Sequence, residues 1–138
     1  MEVKANKATR NRPEGERVLD APYLFADLKN YIEILRDEKL PDHDDRKGIT
    51  IFKSDEITVV LSVFLAGAIM DNVNVNGYMI LQVIDGHARI ITTEGDKELG
   101  PNGMAIFHPG IEHSIQGIDD SVIMLTHYNS GKGSNKVI

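Results

Sequence analysis

Residues 67–86 read GAIMDNVNVNGYMILQVIDG, and the second half of that stretch decides the architecture. From Tyr78 to Ile84 a short run rich in aliphatic side chains leads into Asp85-Gly86, where a glycine that takes positive φ at no steric cost favours a tight turn. The same unit of apolar run and turn recurs on both sides. Runs lie at Ile49 to Lys53, Ile57 to Leu65, Ala88 to Thr93, Met104 to His108, His113 to Ile118 and Val122 to Tyr128. Between them fall Asp71-Asn72, Glu94-Gly95-Asp96, Gly100-Pro101-Asn102-Gly103, Pro109-Gly110 and Asp119-Asp120. Short strands with turn punctuation and no intervening helix predict an all-β sandwich or small barrel over residues 49–128.

Outside that region the pattern changes. Residues 1–16 are basic, polar and nearly free of apolar side chains, and read as a mobile tail, as do residues 129–138. In residues 17–48, Leu24, Phe25, Leu28, Ile32 and Leu35 recur at three- and four-residue spacing, which predicts an amphipathic helix from Asp20 to Lys39 with Pro22 near its start. Pro41 to Gly48 is then a surface turn, and its acidic cluster around His43 lacks the glycine and glutamate of a calcium loop.

The whole chain has 138 residues, 41% of them hydrophobic, enough for one core rather than two. With 15 Lys and Arg against 21 Asp and Glu the formal charge is -6, which repels nucleic acid and anionic membrane, so neither is an expected partner. The absence of cysteine removes disulfides, thiolate metal sites and a cysteine nucleophile. The most apolar stretch, Ile57 to Met70, is broken by Thr58, Ser62 and Gly67 and falls short of the roughly 20 residues of a membrane helix. A cytoplasmic protein is the resulting expectation.

Two segments together resemble the signature of the cupin superfamily, small jelly-roll barrels. In the first, Gly67, Val73, Val75, Met79 and Gly86 fall at the spacing of that family's first motif. In the second, Gly103, Pro109, Gly110, His113 and Gly117 are similar to the second motif with one residue missing between Pro and Gly. The resemblance implies a single cupin barrel preceded by the N-terminal helix, and a homodimer with the helix and the strand near Ile49 as contacts. In metal-dependent relatives the first motif supplies two His and a Glu and the second one His. Here Val73, Val75 and Met79 stand at the first three places, and a one-residue slip would offer only Asn74. Neither valine nor a thioether replaces imidazole or carboxylate for a hard or borderline ion, so no metal cofactor is expected.

Strand parity then predicts what fills the interior. With alternate residues on one face, Val73, Val75, Met79, Leu81 and Val83 line one wall and His113 and Ile115 the other, while Asn72, Asn74 and Asn76 point away or sit on the rim. This is either a small-molecule pocket with His113 as polar anchor or simply packed core. Whether His108 or His127 joins His113 stays open, and Glu112, adjacent along the strand, faces the other way. No Gly-x-Ser-x-Gly setting supports a covalent hydrolase. The expected function is a metal-free barrel that binds a small, largely apolar molecule as a sensor or accessory module. A metal-independent isomerase, epimerase or lyase using His113 as acid or base is the alternative. A metal-dependent dioxygenase or sugar isomerase ranks last for want of ligands.

Overall fold

The computed structural model of the chain describes residues 4–6, 17–41, 43–73 and 75–129. Within them, alternation of apolar side chains beyond Gly48 produces strands that pair into two facing antiparallel sheets. The elements are β1 (Lys4–Asn6), β2 (Arg17–Asp20), α1 (Leu28–Asp37), β3 (Arg46–Lys53), β4 (Ile57–Phe64), β5 (Ile69–Val73), β6 (Tyr78–Asp85), β7 (Ala88–Thr92), β8 (Gly95–Leu99), β9 (Met104–Phe107), β10 (His113–Gly117) and β11 (Ser121–Tyr128). One sheet has the order β3-β4-β11-β6-β9 and the other β5-β10-β7-β8, while β1 and β2 form a separate ribbon. Pairing of β11 with both β4 and β6, and of β10 with β5, requires chain crossovers between the sheets, which makes this a jelly roll.

Side-chain parity assigns the two faces of the larger sheet. On β4 Phe64 points inward, and Leu61 and Val63 outward; on β11 Ile123 and Leu125 point inward and Val122 outward. The inward set meets Leu81, Val83, Ala88, Ile90 and Ile115 in the barrel core. The outward set meets α1, whose Leu28, Tyr31, Ile32 and Leu35 sit at the spacing of one helical face. Leu35 is wholly enclosed there with Ile49, Ile51 and Leu61.

The helix is shorter than the periodicity predicts. Arg17–Asp20 is extended, paired with Lys4–Asn6 from the segment read as tail, and Arg17 Nη2 donates to the Thr50 carbonyl at 2.9 Å. Pro22 disfavours helical geometry at Ala21, and Asp27 offers a better start, its carboxylate accepting from the Asn30 N–H at 3.4 Å. Phe25, expected on the apolar stripe, therefore lies before the helix and is 90% exposed. The barrel starts earlier than expected, at Arg46, and includes two strands that the sequence pattern hides. In β8 every residue but Leu99 is exposed, and the strand is held by its ladder to β7 and by Arg89–Glu98 at 3.0 Å. In β5, Ile69–Val73, the apolar alternation is broken by a bulge. The readings of residues 130–138 and of Asn74 lie outside the described residues, as does most of 1–16. Among the described residues no helix is long and apolar enough to cross a membrane.

Two further features sit at the C-terminal end of β6. Gly86 has φ of 82°, and a Cβ there would run into the Asp120 carbonyl and Ser121. Arg36 of the helix donates to Asp85 at 2.9 Å, and this hydrogen bond, aided by the Gly86 N–H, holds the Asp85 carboxyl below its ordinary pKa. Both side chains are more than half exposed, so the pair contributes little. Because the folded pKa is depressed, that small stabilisation is present at neutral pH and is lost as pH falls through the lowered Asp85 value. Chemical denaturation is expected to show Leu35→Ala destabilised by about 2–5 kcal/mol and Gly86→Ala by about 1–3 kcal/mol. In Arg36→Ala, an NMR titration should find the Asp85 pKa raised, with no stability difference from the parent protein at a pH where Asp85 is protonated.

Candidate functional site at the barrel mouth

One end of the barrel gathers the side chains on which function can rest. In the larger sheet, Met79 of β6 stands opposite Phe107 of β9 on one side and His127 of β11 on the other. Cross-strand partners share a face, and Met79 belongs to the barrel core, so this row points inward. In the smaller sheet, His113 of β10 stands opposite Val73 of β5. Val73, Val75, Met79, Leu81 and Ile115 all join one apolar cluster, as parity predicted, with Leu81 and Ile115 fully enclosed and the two valines partly covered.

His113 connects the two walls. Its side chain is 2% exposed, and its ring lies parallel to that of Phe107, centroids 3.8 Å apart and planes at 2°. The Nδ1 atom is 3.1 Å from the Ile111 carbonyl oxygen. The Nε2 atom is buried with no protein hydrogen-bond partner, and so is Nε2 of His127. His127 faces inward because it follows Ile123 and Leu125 at two-residue steps; that parity was available in the sequence. Phe107 was not identifiable there, since stacking across two sheets is set by the tertiary fold.

The remaining histidines lie elsewhere. His108 follows Phe107 and points outward, its ring 5.0 Å from that of exposed Tyr78. His87 is exposed and sits 3.0 Å from Asp119. His43 is exposed beside Asp44. Carboxylates do not support the imidazole of His113. Ser114 points to the opposite face and donates to Asp71 at 2.6 Å, and Glu112 is exposed.

The donor set does not suit a metal of the kind implied by the cupin resemblance. At the places where the resemblance would put the first motif's ligands stand Val73, Val75 and Met79, and only a thioether among them carries a lone pair. Among the described residues no three His, Asp or Glu side chains converge on one point. A lateral cleft of about 390 Å³ opens between the β7–β8 hairpin and β9, lined by Ile90, Leu99, Ala105 and Phe107 and rimmed by Glu94, Asp96 and Lys97.

Solved structures share this architecture. The chain is similar to a cupin superfamily protein from Desulfitobacterium hafniense, at 16% identity over 65% of this chain and 82% of that one, with a TM-score of 0.61. It is similar to a protein from Thermus thermophilus, at 17% identity over 77% of this chain and 98% of that one, TM-score 0.62. It is also similar to a sugar phosphate isomerase from a cupin superfamily, from Silicibacter pomeroyi, at 14% identity over 62% of this chain and 60% of that one, TM-score 0.55. At these identities the likeness is one of backbone course. No protein-family profile and no curated protein matches the chain. Protein purified without added chelator is expected to contain iron, manganese, nickel and zinc each well below one equivalent by elemental analysis; a full equivalent lost in His113→Ala would contradict the donor-set argument.

Proposed function

We infer that this chain, a cupin in fold, binds a small and largely apolar molecule at the mouth of its barrel and works as a noncatalytic sensor or accessory module. The observation that carries the reading is the buried Nε2 of His113, which has no hydrogen-bond partner among the described residues and belongs to a residue paired with Val73 at the apolar end of the barrel. An orphaned buried polar atom costs roughly 1–3 kcal/mol, and a ligand that pairs with it recovers that cost while the apolar wall supplies affinity.

A second reading, a metal-independent isomerase, epimerase or lyase, draws on the fixed imidazole and on the likeness to a protein named a sugar phosphate isomerase. Two observations place it second. None of the described mouth residues, Val73, Val75, Met79, Phe107, His113 and His127, is a Lys or Arg that would hold a phosphate. Asp71 is engaged by Ser114 rather than by the imidazole that would need a proton partner.

The proposal extends to a homodimer, but not through the surfaces expected from sequence. On those surfaces Leu35 and Ile49 are already enclosed within the chain itself, and Leu28, Tyr31 and Ile32 are partly covered. What stays open is the outer face of β6 and β9, where Met104 and Ile106 are 50% and 61% exposed beside Tyr78 on an edge strand.

Thermal-shift screening of small apolar and amphiphilic metabolites tests the binding reading. At a ligand concentration about 100-fold above Kd, stabilisation of about 2.7 kcal/mol is expected, lost in His113→Ala. A shift that persists in His113→Ala, or a screen without any stabilising compound, counts against it. For the dimer, sedimentation of the parent protein at micromolar concentration should report twice the chain mass, and Ile106→Lys should report a monomer that keeps the parent's circular dichroism spectrum and loses the concentration dependence of its melting temperature.

A further inference from the structure

We propose that the ligand offers a neutral hydroxyl to Nε2 of His113, and that the site selects hydroxyl-bearing molecules over carboxylates and hydrocarbons of the same shape. This rests on the reading of the mouth as a binding site and specifies the chemistry of its occupant. A carbonyl oxygen only accepts hydrogen bonds. Its place 3.1 Å from Nδ1 of His113, at Ile111, therefore puts the ring proton on Nδ1. Neutral imidazole has a single N–H, so Nε2 carries a bare lone pair.

The ring cannot exchange its two nitrogens cheaply. The parallel contact with Phe107 at 3.8 Å fixes its plane, and a flip would break the hydrogen bond to Ile111. No described residue donates to that lone pair. Val73, opposite on β5, and Phe107 have no polar hydrogen, and the sulfur of Met79 is only a weak acceptor. A buried acceptor with no donor selects an occupant that brings one. A hydroxyl does so without charge. A carboxylate would set its own lone pairs against that of Nε2 and bring an uncompensated charge into an apolar setting.

His127 supplies a second polar point at a set distance. The row Phe107, Met79, His127 spans two inter-strand steps, about 10 Å between the outer backbones, with the Met79 side chain in the middle. The proposed occupant meets His113 through its hydroxyl and lays its apolar body toward Met79.

Phenol, toluene and benzoate have similar girth and differ in the group presented to Nε2. Titration of the whole protein with each, followed by side-chain 1H–15N correlation spectra of His113, provides the test. In the free protein His113 should show the Nδ1–H form. Phenol should bind at least tenfold more tightly than either of the others and move the Nε2 resonance upfield. An Nε2–H form in the free protein overturns the inference, as does tight phenol binding that leaves His113 unmoved. Equal affinity for phenol and toluene, with His113 perturbed by both, overturns the hydroxyl preference and leaves the binding site standing. If none of the probes perturbs His113, the hydroxyl preference and the binding site both fall.

Discussion

The larger sheet is apolar on both faces, and this constraint governs the rest of the molecule. Its inward residues, Phe64, Leu81, Val83, Ile123 and Leu125, need the smaller sheet; its outward residues, Leu61, Val63 and Val122, need α1. A one-residue slip of β11 against β4 or β6 would exchange the two sets and leave the helix facing the wrong side chains. The two cores therefore hold the register jointly, and the register carries the mouth: Met79, Phe107 and His127 meet in one row only in this alignment. The helix touches no mouth residue yet helps keep those side chains in place.

The bulge in β5 has a comparable influence at closer range. Val73 pairs with His113 while Met70 pairs with Ile115, so β5 spends one residue more than β10 between the two pairs. Both Met70 and Val73 can then point inward, and Asp71 is directed to the outer face, where Ser114 holds it. The carboxylate nearest to His113 along the sheet is thereby separated from the imidazole. An acid positioned behind the ring would favour proton transfer; apolar neighbours favour recognition instead.

The sequence made the well-alternating elements legible. The stretch Tyr78 to Ile84, its turn at Gly86 and the inward residues Met79, Leu81, His113 and Ile115 follow from period-two alternation and from one glycine that must take positive φ, whereas Val73 sits in a bulged strand and Val75 outside any strand. The polar strand β8 was not legible, because its pairing is held by backbone ladder bonds and a surface ion pair rather than by a buried face. The start of α1 was misplaced because Leu24 and Phe25 continue the apolar spacing while Pro22 and the Asp27 cap end it; local backbone preference overrode periodicity. The inward turn of His127 could have been read from Ile123 and Leu125. The stacking of Phe107 on His113 could not, since it joins residues of different sheets.

Fold likeness alone would have suggested metal chemistry or sugar phosphate isomerisation, and a fold is a poor guide to the reaction it hosts. The site itself gives a different account. An apolar residue in place of His113 would suit the surrounding valines and methionine, and replacing an unsatisfied buried polar group by a well-shaped apolar one is often neutral or stabilising. The unpaired nitrogen thus carries a desolvation cost in the free barrel. Departures from local consistency of this kind concentrate at functional sites, because the lost free energy returns when the proper partner arrives. At His113 the departure is a lone pair whose direction is fixed by the Ile111 carbonyl and whose plane is fixed by Phe107, and His127 adds a second buried nitrogen without a partner. On the proposed reading, recognition at this mouth would be a matter of supplying one donor in one place, with shape fit to Val73, Val75 and Met79 providing the remainder of the affinity.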